Sequence, residues 1–180
     1  MFDLFLFPLH LSAGQEQAHL PGLLAASPPR RADRNRASEV LLVLATLSPD
    51  TLTPEAWQKL LQQVTDKYYR TRGSAITALR ATIEQFNEQL LNHNLRTAAE
   101  GGRMSAALSL AVLRHDRLFL AQAGNSHALV LGAAEVQHFY DAETAGRSLG
   151  LSRNPNIRFF QAQVQAGDLL LLSPNPPENW

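Results

Sequence analysis

The chain has no cysteine, which excludes disulfides, thiolate metal centres and cysteine nucleophiles. This is compatible with a reducing cytoplasm, the expected location. It has no excess of either charge: 16 Lys and Arg balance 16 Asp and Glu. No basic field therefore singles out nucleic acid or anionic lipid as a partner. No apolar run approaches the ~20 residues that a helix needs to cross a bilayer, so no membrane span is expected within these residues. The start, MFDLFLFPLHL, is apolar, but it has no leading Lys or Arg and holds Asp3 inside the run. That favours a first β-strand over residues 2–7 above a signal peptide. Gly-x-Ser-x-Gly, Walker-type and dinucleotide glycine patterns are absent, which leaves no motif for those chemistries. Aspartate is sparse, confined to Asp3, Asp33, Asp50, Asp66, Asp116, Asp141 and Asp168.

What is present is a 180-residue chain that is 45% hydrophobic, enough for one domain over 1–180 with a real core. Residues 1–47 hold strand-like runs at 2–7 and 39–47 around a loop rich in Pro, Ala and Arg. Its arginines are interleaved with Asp33 and Glu39, the pattern of a solvated loop, with a phosphate or carboxylate partner left open. Residues 53–98 read as a helix pair. Thr53-Pro54-Glu55 supplies a cap, a proline at the first helical position and an early acid for a helix over 54–70. Gly73-Ser74 opens a second helix, whose Ile76, Leu79, Ile83, Phe86 and Leu90 recur at three- and four-residue steps, a single apolar face for packing on a sheet.

Residues 104–173 read as an antiparallel meander: strands over 104–114, 118–123, 127–131 and 136–140, then 157–164 and 169–173. His115-Asp116, Gly124-Asn125, Gly132 to Ala134 and Gly167-Asp168 are the turns between them. The unbroken Leu169, Leu170, Leu171 and Leu172 predict a strand covered on both faces. The fold class expected is α+β.

No histidine pair has metal spacing such as i,i+4 on a helix. His127 and His138 fall on adjacent predicted strands and, with Asp116, form a weak candidate acid–base or mononuclear site. Ser126 in Gly-Asn-Ser-His reads as a turn hydroxyl, because neither a base nor oxyanion donors can be assigned to it.

The order of strand pair, two helices, SAALSLAVL, then LFLAQAGNSHA and GDLLLLSPN resembles the metal-dependent serine/threonine phosphatases of the 2C type. The resemblance covers most of residues 39–175 and rests on order and spacing, since no motif is intact. It implies a layered α-β-β-α sandwich of mostly antiparallel sheets, incomplete at its C-terminal end. It also implies a chemistry in which two Mn²⁺ or Mg²⁺ ions, held by carboxylates, generate a hydroxide that attacks phosphorus. The departures fall on the ligand motifs. Thr46 stands nearest the acid of an Asp-Gly-x-Gly-Gly segment, Asn125 replaces the acid of Gly-Asp-Ser-Arg, and Pro174 replaces the acid of Ser-Asp-Gly. Asp50 is the one acid close to a ligand segment, and it reads first as turn chemistry. Arg31 or Arg34 would be the phosphate-orienting arginine, though the surrounding spacing does not match.

The expectation is therefore a catalytically silent phosphatase-like domain with no cofactor, in which loops 48–53, 141–156 and 174–180 recognise another protein or a further domain of the same polypeptide. Two alternatives stay open. One is an active metal-dependent phosphatase with displaced ligands, which would need Mn²⁺ or Mg²⁺. The other is an unrelated α+β binding domain.

Overall fold

The computed structural model describes residues 4–12, 14–100, 102–141 and 146–174. Among these residues, ten strands and two α-helices follow in order: β1 Leu11–Ser12, β2 Gln15–Glu16, β3 Leu23–Ala26, β4 Glu39–Ser48, α1 Pro54–Arg70 and α2 Ala75–Arg96. They continue as β5 Ser105–Arg114, β6 Arg117–Ala123, β7 His127–Leu131, β8 Val136–Phe139, β9 Arg158–Gln163 and β10 Leu169–Ser173. A five-stranded sheet has the order β3-β4-β5-β6-β9, and a three-stranded sheet has the order β10-β7-β8; β1 and β2 form a separate small ribbon. All pairings between these strands are antiparallel.

The apolar centre of β4 explains the layering. A strand whose residues point alternately to opposite faces can be apolar throughout only if both faces are covered. Leu41, Val43 and Ala45 join the cluster built with both helices, whereas Leu42 joins the cluster facing the three-stranded sheet. The helices begin where their caps predict. The Thr53 hydroxyl accepts from the Ala56 amide at 3.3 Å, and the Ser74 hydroxyl accepts from the Thr77 amide at 3.1 Å. Trp57, Leu61, Val64 and Tyr68 of α1 and Leu79, Ile83 and Phe86 of α2 are buried against one face of the large sheet. Burial of each such large side chain contributes ~1.5–3 kcal/mol. The order of layers is helices, five-stranded sheet, three-stranded sheet.

One end of the large sheet is fastened by a buried ion network. Arg36 donates from Nη1 to both oxygens of Glu39 at 2.9 and 3.0 Å, and from Nη2 to the carbonyls of Gly73 and Ser74, both at 2.6 Å. The Tyr68 hydroxyl donates to Glu39 Oε2 at 2.6 Å, and Arg114 Nε donates to Glu39 Oε1 at 2.7 Å. Arg36 and Glu39 are both fully buried. Burial, followed by the Glu39 contact, raises the Tyr68 phenol well above its ordinary value, so it stays a donor.

Three expectations are corrected. Residues 4–10 form no strand, and Phe5 and Phe7 are exposed; residues 2 and 3 of the expected strand lie outside the described residues. An apolar run needs a partner edge to become a strand, and the edge beside β4 is taken by β3. Residues 104–173 are not one meander. The hairpins β5-β6 and β7-β8 form, but Gly124-Asn125 and Gly167-Asp168 carry the chain from one sheet to the other. β6 already has β5 and β9 as neighbours, so β7 has no edge there to pair with. Gly124 makes the crossing sterically: at φ 81°, a Cβ on it would lie 2.8 Å from the Ala107 Cα. Finally, β10 is not covered on both faces among the described residues. Leu170 and Leu172 pack between the sheets, while Leu169 is 50% exposed.

Candidate functional site

Antiparallel pairing gathers the strand ends that carry the resembled motifs. Ser48 at the end of β4 pairs with Ser105 at the start of β5, and Thr46 pairs with Ala107. The β6–β7 crossing sits over Ala106 and Ala107, which puts exposed Asn125 at the same end. In the smaller sheet, Ser173 pairs with His127, which brings Pro174 to that end as well. Asp50 follows just beyond β4, after a cis Ser48–Pro49 peptide. Its Oδ1 accepts from Trp57 Nε1 at 3.0 Å and from the Leu52 amide at 3.4 Å, so this carboxylate anchors the start of α1.

Arg31 and Arg34 are not part of this arrangement. They lie in the loop before Glu39, the first of the ten residues of β4, at the other end of a strand ~30 Å long. Asp116 is likewise remote. It sits in the β5–β6 turn, with Oδ2 accepting from Gln163 Nε2 at 3.2 Å and its carbonyl accepting from the Val164 amide. It therefore does not join His127 and His138.

The histidines do meet. His127 Nδ1 and His138 Nε2 are 3.1 Å apart, with ring centroids 5.3 Å apart and an interplanar angle of 22°. The two ring nitrogens thus lie within hydrogen-bond distance of each other. The Tyr140 ring stacks on His127 with centroids 3.8 Å apart. Burial, then the charges of His138 and Arg158, lowers the His127 pKa below its usual value, so the neutral imidazole is favoured.

Arg158 is the residue that sequence reasoning missed. It is 6% exposed, on the face of β9 that looks between the sheets. Nη2 donates to the Gly124 carbonyl at 2.5 Å and to the Ser126 hydroxyl at 3.4 Å, and Nη1 donates to the Asp141 carbonyl at 3.4 Å. Its cross-strand partner is Gln122, itself fully buried. Among the described residues, neither Gln122 amide atom nor Arg158 Nε has a hydrogen-bond partner. Burial lowers the Arg158 pKa, and the Asp141 and Tyr140 charges oppose that shift. One signal was readable: Leu118, Leu120 and Gln122 fall on one face of β6, so Gln122 is a polar residue at an inward position.

Two buried asparagines of α2 hold the loop that borders this end. Asn87 Oδ1 accepts from the Gly150 amide at 2.8 Å, and its Nδ2 donates to the Ser152 carbonyl at 2.9 Å. Asn94 Nδ2 donates to the carbonyls of Met104 and Gly150 at 2.7 and 2.9 Å, and its Oδ1 accepts from the Met104 amide at 2.8 Å. A β-bridge between Ala106 and Leu149 completes the attachment. Of the expected recognition loops, residues 142–145 and 175–180 lie outside the described residues. Among the described residues, no three His, Cys, Asp or Glu side chains come together as a metal-binding group, and no helix is long and apolar enough to cross a membrane.

No protein-family model and no curated protein matches this chain. Solved structures do. The S. agalactiae serine/threonine phosphatase aligns with a TM-score of 0.59 at 16% identity, over 83% of this chain and 76% of that one. The serine/threonine phosphatase Stp1 from Staphylococcus aureus aligns with a TM-score of 0.57 at 18% identity, over 88% and 79% of the two chains. A Stage II Sporulation E family protein from Thermanaerovibrio acidaminovorans aligns with a TM-score of 0.54 at 14% identity, over 83% and 76%. The chain has the fold of these phosphatases.

Proposed function

We propose that this chain is a catalytically silent domain of phosphatase fold, which binds a protein partner or a further domain of its own polypeptide and so acts as a cytoplasmic regulatory module. The observation that carries the reading is Arg158. Its guanidinium is buried directly behind the Gly124–Ser126 crossing, beside the position where the resembled enzymes carry an acid. Two hard divalent cations need several carboxylate oxygens and enough negative charge to offset their mutual repulsion. A positive charge buried beside a cation adds further repulsion, which those carboxylates would also have to offset. At this end Thr46, Asn125 and Pro174 offer no carboxylate, Asp50 is held by Trp57, and the charge of Asp141 is opposed by that of Arg158. That donor set does not fit a pair of Mn²⁺ or Mg²⁺ ions.

The bordering surface suits recognition. The loop over 146–156 is fixed to α2 by Asn87 and Asn94, and a preorganised loop loses little freedom on binding. Crosslinking in native cell extract, followed by identification of the captured protein, tests this reading. A partner that is retained by the wild type and lost when residues 48–53 or 151–154 are replaced supports it. Hydrolysis of p-nitrophenyl phosphate that depends on added Mn²⁺ would overturn the silent assignment.

A further inference from the structure

A second charged surface lies at the opposite end of the large sheet from the loops discussed above, and it does not depend on them. Arg31, Arg34, Arg70 and Arg72 line an open concavity of about 680 Å³, in which Asp33 is the only acid among the lining residues. In a chain whose formal charge is zero, this is a concentration of positive charge. Asp33 is occupied in local structure, since its Oδ1 accepts from the Asn35 amide at 3.1 Å. Arg70 pairs with exposed Asp66 at 3.2 Å, whereas Arg31, Arg34 and Arg72 have no ion pair among the described residues. An exposed pair such as Arg70–Asp66 holds weakly and can be exchanged for a better acceptor.

The walls of the concavity are fixed. The Asp33 amide donates to the Tyr69 carbonyl at 2.8 Å, tying the arginine loop to the end of α1. Arg36, fully buried, joins that loop to the carbonyls of Gly73 and Ser74 and to Glu39. The residues flanking it on both sides, Arg34 and Arg72, therefore stand on backbone that does not need ordering when a ligand arrives. Guanidinium groups present forked donors that match carboxylate and phosphate oxygens, and such charge-assisted bonds are the strong ones.

We infer that this concavity binds an acidic peptide segment, one that carries several carboxylates or phosphates. Four guanidinium groups around one concavity offer more donors than one small anion can satisfy, which points to an extended chain with several acidic groups. The patch is confined to one loop and one helix junction, and it lacks the basic stripe that a nucleic-acid backbone would need along its length.

Fluorescence anisotropy of the full chain with a labelled ten-residue peptide containing two phosphoserines flanked by glutamates tests the inference. Binding is expected to weaken at least tenfold in the Arg31→Ala/Arg34→Ala variant and to fall steeply with added salt. It should be unchanged in Arg96→Ala, at the far end of α2. A thermal melt superimposable on the wild type shows that the double variant is folded, as expected for two exposed side chains. Equal binding by wild type and double variant would overturn the inference, as would no binding at all. Single-stranded DNA of equal charge binding as tightly as the peptide, or inorganic phosphate displacing the peptide at equal phosphate concentration, would each overturn the assignment to a peptide.

Discussion

Replacing Glu39 with glutamine should cost this chain ~4 kcal/mol of stability. Glu39 is fully buried and accepts from Arg36, Arg114 and Tyr68. The substitution removes one charge and leaves the other, on a fully buried Arg36, facing only neutral acceptors: the carbonyls of Thr71, Gly73 and Ser74 and one amide oxygen, while the new NH2 group opposes its N–H donors. Breaking a buried pair on one side typically costs ~3–5 kcal/mol, because the remaining ion keeps its desolvation penalty. The Arg114 contact adds little, since that side chain is 33% exposed and such pairs are worth ~0–1 kcal/mol. A loss of ~4 kcal/mol is a large share of the ~5–15 kcal/mol that holds a domain together. With a urea slope of ~2–3 kcal/mol/M, the unfolding midpoint should fall by about 1.5 M. The Arg36→Met/Glu39→Leu double variant should recover most of this, since no lone charge is left behind. A Glu39→Gln midpoint within ~0.3 M of wild type at unchanged slope would refute the reasoning.

Gly124→Ala should destabilise by ~2 kcal/mol or more, because φ is 81° and the new Cβ would meet the Ala107 backbone; urea unfolding reads this directly. Asn94→Ala leaves the Met104 amide and the Gly150 carbonyl without their buried partner. It should cost ~1–3 kcal/mol and speed hydrogen exchange at the Met104 amide. Burial lowers the His127 pKa, so the folded chain takes up this proton less readily than the unfolded one. Its contribution is complete above the ordinary value of 6.5 and is lost as pH falls through the lowered one,. Thermal melts across this range should show a drop on acidification that is smaller in His127→Gln.

Local patterns carried much of the architecture. Thr53-Pro54 and Gly73-Ser74 marked both helix starts because capping is local chemistry, and the spacing of Leu79, Ile83 and Phe86 marked the face that packs. The crossing at Gly124 was not legible. A glycine with positive φ serves a hairpin and a passage between sheets alike, and only the occupied edges of β6 decide between them. At the candidate site, the gathering of Thr46, Asn125 and Pro174 followed from strand order. Arg158 was hidden because its role depends on a crossing 34 residues away. Where Arg31 and Arg34 lie was not legible for the converse reason: a loop's sequence does not say which end of the sheet it borders.

The central claim is tested most directly by titrating Mn²⁺ and Mg²⁺ into the whole chain in a calorimeter, with Arg158→Ala titrated beside it. No saturable binding to the wild type is expected, because Arg158 backs the Gly124–Ser126 crossing and the motif positions supply too few carboxylates. Saturable binding of two Mn²⁺ per chain would contradict it.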